Sequence, residues 1–246
     1  MPPRLHIDTA LAAGIELSLP DSASRHVQVL RLQPGAALTL FDGRGGEWSA
    51  EVLAIGRKVV VARVGAHRDV ERELATPVTL ALGMPANERM DTLVEKATEL
   101  GVAAIQPLVC ERSVLRLAGD RAGRKAAHWQ AIAVAACEQC GRNRVPRIAP
   151  VQVLRDWLAA QAGIPAARLL LSLDGDARGP RQALAGIGAG QALLALSGPE
   201  GGLSPTELAA ARAAGFQPLT LGARVLRADT APLALLAVVA ALENPA

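Results

Sequence analysis

The chain has 246 residues, half of them hydrophobic, which is enough to bury a sizeable core in one large domain or in an ordinary domain with a small companion. Aromatic residues make up only 2% and tyrosine is absent, so base stacking on aromatic platforms is excluded as a main binding device. A net charge of +3 permits a nucleic-acid partner without requiring one, and the odd set Cys110, Cys137 and Cys140 excludes a disulfide framework and a four-ligand zinc site.

The N-terminal stretch MPPRLHIDTA lacks the apolar core of an export signal. PDSASRHVQVLRLQPG predicts a helix with Asp21 or Ser22 as N-cap, Val27 and Leu30 on one face, and Gly35 after its end. Residues 36–64 then show β-rich runs separated by the turn signals DGRGG and GRK, the pattern of a small antiparallel sheet or barrel. This region carries Arg25, His26, Arg31 and several further arginines; a basic surface for a nucleic-acid backbone and ordinary solvated arginines both fit.

The charged stretch 65–77 reads as a linker, giving domains of 1–70 and 71–246. Beyond it, strands alternate with helices. VTLAL (78–82) is followed by a helix in which Met90, Leu93, Val94, Ala97 and Leu100 recur at three and four, stopped by Gly101. AAIQPL, a helix over 124–140, LLLSL (169–173), ALLALS (192–197), a helix over 204–215, PLTLG (218–222) and a helix over 230–243 complete the series. Such alternation predicts an α/β domain whose largely parallel sheet is covered on both faces. Cys137 and Cys140 read as small core-facing residues rather than a redox pair. The last apolar run, 231–242, is too short to span a bilayer, so a cytoplasmic protein with no membrane partner is expected.

Several chemistries find no support. His6, His26, His67 and His128 are scattered singly, without metal-ligand spacing, so no metal is expected. GIGAGQ at 186–191 precedes a strand instead of following one, which argues against a dinucleotide fingerprint and for a flexible connection. The informative segment is LSGPEGGLSPTEL, 196–208, with three glycines and a proline around Glu200. It follows a strand and precedes a strongly signalled helix: Ser204 as N-cap, Pro205 at the first position, Glu207 closing a capping box. A bend there lies at the carboxyl end of a strand, where open α/β sheets bind ligands, and its glycines let main-chain groups approach closely. Glu200 disfavours a phosphate; a neutral or cationic ligand fits better.

The segments KATELGVAAIQPLVCERSV, AACEQCGRNRVP, LSGPEGGLSPTEL and LGARVLRADTAPLALL, in that order, resemble successive motifs of the RsmE family, the small-subunit (16S) ribosomal RNA uridine N3-methyltransferases of the SPOUT superfamily. The resemblance implies an α/β fold class: a C-terminal SPOUT-type α/β domain with a trefoil knot, preceded by a small PUA-like β-barrel that binds RNA. It also implies a homodimer, S-adenosyl-L-methionine as methyl donor, and 16S ribosomal RNA, in the assembled small subunit, as partner. On this reading Gly198, Pro199, Glu200, Gly201 and Gly202 form one wall of the donor site. Leu221, Gly222, Leu226 and Arg227 form another, and Leu173 a third. Leu221 and Leu226 also suit a core, and Glu200 also suits the capping of a neighbouring backbone. Arg227 and Arg112 are candidates for stabilising charge on the uracil, and Glu138 and Asp229 for accepting its proton. Arg142 and Arg144 fit RNA phosphates, a second subunit, or the dipole of the helix they follow. Two positions depart from the family pattern, Asp229 where Glu is more usual and Arg89 where Lys is expected. A SPOUT enzyme acting on another RNA or atom, and a non-catalytic ribosome-assembly protein, are the alternatives.

Overall fold

The computed structural model describes residues 2–188 and 190–243; Ala189 of the GIGAGQ stretch lies outside the described residues. The chain forms two compact units. One comprises the chain up to Glu73 together with Val134–Val145, the other Leu74–Ala133 and the chain from Pro146 onward.

In the first unit β1 (Arg4–His6), β2 (Glu16–Ser18), α1 (Asp21–Val29), β3 (Ala37–Phe41), β4 (Glu47–Ile55) and β5 (Val60–Arg68) follow one another. The sheet order is β1-β3-β4-β5-β2. It is not purely antiparallel, because β1 runs parallel to β3. Alternate residues of β5, Val60, Ala62 and Val64, turn inward to meet Leu38, Leu40 and Val52, as a period of two requires. Register shifts in β4 between Trp48 and Ala50 and between Val52 and Ala54 bend that strand. The DGRGG signal is met by Gly43, Gly45 and Gly46, all at positive φ, in the β3–β4 turn.

The limits of α1 differ from expectation. Its N-cap is Pro20, with no side-chain cap. Its end comes at Leu30, not near Gly35: the Leu32 N–H reaches the Val27 carbonyl at 3.2 Å and the Arg31 N–H the Gln28 carbonyl at 3.0 Å. That closure needs a left-handed residue, and Arg31 supplies it at φ 52.

The second unit contains β6 (Val78–Gly83), α2 (Asn87–Glu99), β7 (Ala104–Val109), the start of α3 (Gly119–Cys140), β8 (Arg147–Ile148) and β9 (Gln152–Val153). It continues with α4 (Leu154–Ala160), β10 (Ala167–Leu171), α5 (Pro180–Leu184), β11 (Leu193–Ser197), α6 (Pro205–Ala213), β12 (Gln217–Leu219) and α7 (Thr230–Glu243). Every pairing is parallel, in the order β12-β10-β11-β6-β7-β8, with β9 also on β7. All five residues of β11 are buried, the mark of a strand covered on both faces. On α2, Met90, Leu93, Val94 and Ala97 are fully buried, as their spacing predicts. β10 and β12 stop two residues before Leu173 and Leu221, which leaves both leucines in loops beyond the strand ends. Among the described residues no helix is long and apolar enough to cross a membrane, and no group of His, Cys, Asp and Glu could hold a metal ion.

Candidate active site

The carboxyl ends of β10, β11 and β12 open into one cavity of about 570 Å³, a volume suited to a small-molecule ligand. Gly198, Pro199, Glu200 and Gly202 of the bend line it. So do Leu173 beyond β10 and Leu221, Leu226 and Arg227 from the loop before α7. The other two positions assigned to the donor are not in the lining. Within the bend the Gly201 carbonyl accepts from Arg112 Nη1 at 3.2 Å, and Gly222 turns the chain at φ +109. Sequence reasoning missed Arg224, Val225 and Arg89, which also face the cavity. Val225 could have been suspected as a branched apolar residue amid charges; it is 82% exposed.

Three devices hold the bend. The capping box forms as its motif requires, with the Glu207 N–H on Ser204 Oγ at 3.2 Å and the Ser204 N–H on Glu207 Oε2 at 2.9 Å. Glu207 also accepts from the Glu111 N–H at 2.8 Å, so one buried carboxylate ties the loop after β7 to the start of α6. Third, Gly83 closes β6 directly against the bend; a Cβ there would lie 2.5 Å from Pro199 Cδ and 2.6 Å from its nitrogen. Cys110 is packed at the same point, and burial pushes its thiol up to about 12, with the Glu207 charge adding to the effect. The thiol is therefore inert at neutral pH.

Glu200 does cap a neighbouring backbone. Its Oε1 accepts from the Ala86 N–H at 3.0 Å and lies 3.4 Å from Arg89 Nη1, so its charge meets the N-terminal turn of α2 and a guanidinium. The carboxylate still lines the cavity, together with the cations Arg89, Arg224 and Arg227.

Of the residues put forward for catalysis, Arg227 lines the cavity and Asp229 stands two residues further on, its carboxylate 3.4 Å from the Thr230 hydroxyl. Arg112 reaches the bend through Gly201. Glu138 is not part of this cavity. It belongs to the first unit, where it accepts from the His6 N–H at 2.9 Å and lies 4.0 Å from His26 Nδ1. Its carboxylate is thus engaged within the first unit.

Arg25 and Arg31 are exposed and His26 half-buried. Arg142 is corrected as an RNA contact: it is 3% exposed and its guanidinium is spent on Glu73, with Nε 3.0 Å from Oε1. Arg144 is exposed but paired with Glu71 at 3.1 Å. Between them Asn143 accepts from Arg4 at 2.6 Å and donates to the Val70 carbonyl. The GRNR segment is thus a clasp within the first unit.

A cavity lined by leucines and a glycine bend, together with one glutamate and three arginines, can hold a flat heterocycle with charged appendages. Comparisons with known proteins specify the family. The family model for an RNA methyltransferase domain matches residues 72–240, and that for an RNA methyltransferase PUA domain matches 19–65. Ribosomal RNA small subunit methyltransferase E of Synechocystis is 36% identical over 87% of this chain and 69% of its own length.

The chain belongs to the ribosomal RNA small subunit methyltransferase E family.

Solved relatives agree over nearly the whole length. A protein described by the same name from Neisseria gonorrhoeae, bound to S-adenosyl methionine, is 36% identical with a TM-score of 0.89, covering 98% of both chains. A protein from Legionella pneumophila described as in complex with the bound cofactor SAM is 32% identical with a TM-score of 0.91 over 98% of both chains. The fold is therefore the SPOUT-type α/β fold preceded by a PUA-like domain, and every residue lining the cavity falls inside the segment matched as the methyltransferase domain of this family.

Proposed function

We propose that this protein transfers the methyl group of S-adenosylmethionine to N3 of a uridine in 16S ribosomal RNA. On this proposal it works in the cytoplasm, as a homodimer, on the assembled small subunit. The observation that carries the reading is the cavity walled by the 198–202 bend, in a chain alike over its whole length to relatives described as bound to that donor.

The lining suits the ligand. Leu173, Leu221 and Leu226 offer apolar surface to a purine ring, the bend offers main-chain polar groups, and Glu200 offers a carboxylate to an ammonium or sulfonium. The donor, when bound, supplies a methyl group on positively charged sulfur. The chain's own residues must align the uracil and handle its imide proton. Arg227, which lines the cavity, is the residue assigned to stabilise the negative charge that spreads onto the uracil carbonyl oxygens as N3 loses its proton. Asp229 is the carboxylate assigned to receive that proton. Arg112, through Gly201, holds the bend in position.

The test is mass mapping of modified nucleosides in 16S ribosomal RNA from cells with and without the protein. N3-methyluridine should vanish on deletion and return with the wild-type chain. Its persistence would assign the enzyme to another RNA or atom, and a binding role would follow if no methyl group were lost from any RNA.

A further inference from the structure

A second cavity, of about 270 Å³, is lined by Ala86, Val114, Leu115, Arg116 and Arg121. It adjoins the donor site through a single peptide. The Ala86 N–H donates to Glu200, a wall of the larger cavity, and Arg89, on the first turn of α2, lines that larger cavity too. Among the described residues no acidic residue is in the lining of the smaller cavity, and two arginines are. Arg116 is tethered at one end, its Nη2 donating to the Glu111 carbonyl at 2.7 Å, which limits the orientations of the rest of the fork. Arg121 is exposed and makes no ion pair among the described residues. Beside them Val114 is 77% exposed on a loop whose next residue, Leu115, is buried and fixes it.

We propose that this cavity seats a backbone phosphate of the RNA substrate, next to the nucleotide presented to the methyl donor. The inference rests on the methyltransferase reading and deepens it. A pre-oriented guanidinium suits bidentate recognition of phosphate, a second one adds charge without a competing acid, and the contiguity with the donor cavity puts the neighbouring base within reach of the chemistry.

The experiment compares wild type with Arg116→Ala, Arg121→Ala and the double variant. A small-subunit RNA fragment is titrated over a series of salt concentrations, alongside steady-state methyl transfer and donor calorimetry. The double variant should raise the KM for RNA about tenfold or more and lower the salt slope by about one per arginine. Its donor affinity and its kcat at saturating RNA should be unchanged, and Arg116→Lys should restore part of the RNA affinity. Wild-type RNA affinity and salt slope in the double variant, with wild-type enzyme active, would overturn the inference and leave the function standing. A wild-type chain that binds RNA through these arginines but methylates none would overturn the function and leave the phosphate seat. Inorganic phosphate that competes with the donor but not with RNA would assign the cavity to a small anion and also overturn the proposal.

Discussion

Gly83 ends β6 where the Pro199 bend passes over it, and the two are too close for any side chain. A Cβ built on Gly83 lies 2.5 Å from Pro199 Cδ, 2.6 Å from Pro199 N and 3.0 Å from Cys110 Sγ. Carbon atoms pack at about 3.5–4.0 Å, so Gly83→Ala demands a displacement of about 1 Å. β6 cannot supply it, because the strand is hydrogen-bonded on both sides, to β11 and to β7, with Gly83 in register with Leu108. Pro199 must move, and its backbone nitrogen and ring give it no rotamer to escape into. Overpacking of this kind costs about 1–3 kcal/mol. If the bend grips the donor, about 2 kcal/mol of that strain appears as a donor affinity weaker by about 30-fold. Isothermal calorimetry with S-adenosylmethionine measures it, with circular dichroism to show that the fold persists. Gly123→Ala is the control, since a Cβ there meets nothing within 4 Å. Wild-type donor affinity in a folded Gly83→Ala protein would refute the reasoning, because the bend would then be free to move without loss of binding.

Three further outcomes follow from the same geometry. Burial works against the ionised form of Glu47, but the hydrogen bond and charge of Arg4, with Arg68 and Arg72, hold its carboxyl below the ordinary range. Its stabilisation is therefore full above the ordinary carboxylate range and is lost as pH falls through the depressed value. Glu47→Gln should cost about 3 kcal/mol in urea unfolding at pH 7, by leaving buried Arg4 without its counter-charge, and the gap to wild type should narrow towards pH 3; an equal gap at both pH values would contradict this. Arg31→Gly should relieve the left-handed strain at the end of α1 and raise stability by about 0.5–1 kcal/mol, read from the urea midpoint, whereas a loss of stability would show that the Arg31 side chain matters more than its backbone. Cys110 and Cys137, both buried with thiols pushed up to about 12, should resist a thiol reagent at pH 8 in the folded protein, and fast labelling of either would contradict their packing.

What the sequence made legible was local. The capping box needs only Ser204 and Glu207, three residues apart, and the period of Met90, Leu93, Val94 and Ala97 is written within one helix, so both are readable from the order of residues alone. The bend can be placed because a strand precedes it and that helix follows. The residues that brace it are not legible, because they are distant in the chain: Gly83 touches Pro199, and Glu207 reaches Glu111 across 96 positions. The same distance misleads the reading of Arg142 and Glu138. Each reads as an available charge near a helix end, yet one is paired with Glu73, 69 residues away, and the other accepts from His6, 132 residues away. Arg31 shows the converse, since a non-glycine at positive φ leaves no trace in propensity and hides where the helix ends.

The central claim is that the bend at 198–202 and the loop at 221–227 together grip a methyl donor. A crystal soaked with S-adenosylmethionine tests it directly. Density for the adenine should lie against Leu173, Leu221 and Leu226, with the sulfonium near the bend. Density elsewhere on the chain, or a nucleotide phosphate seated against Gly198 and Gly202, would contradict the account.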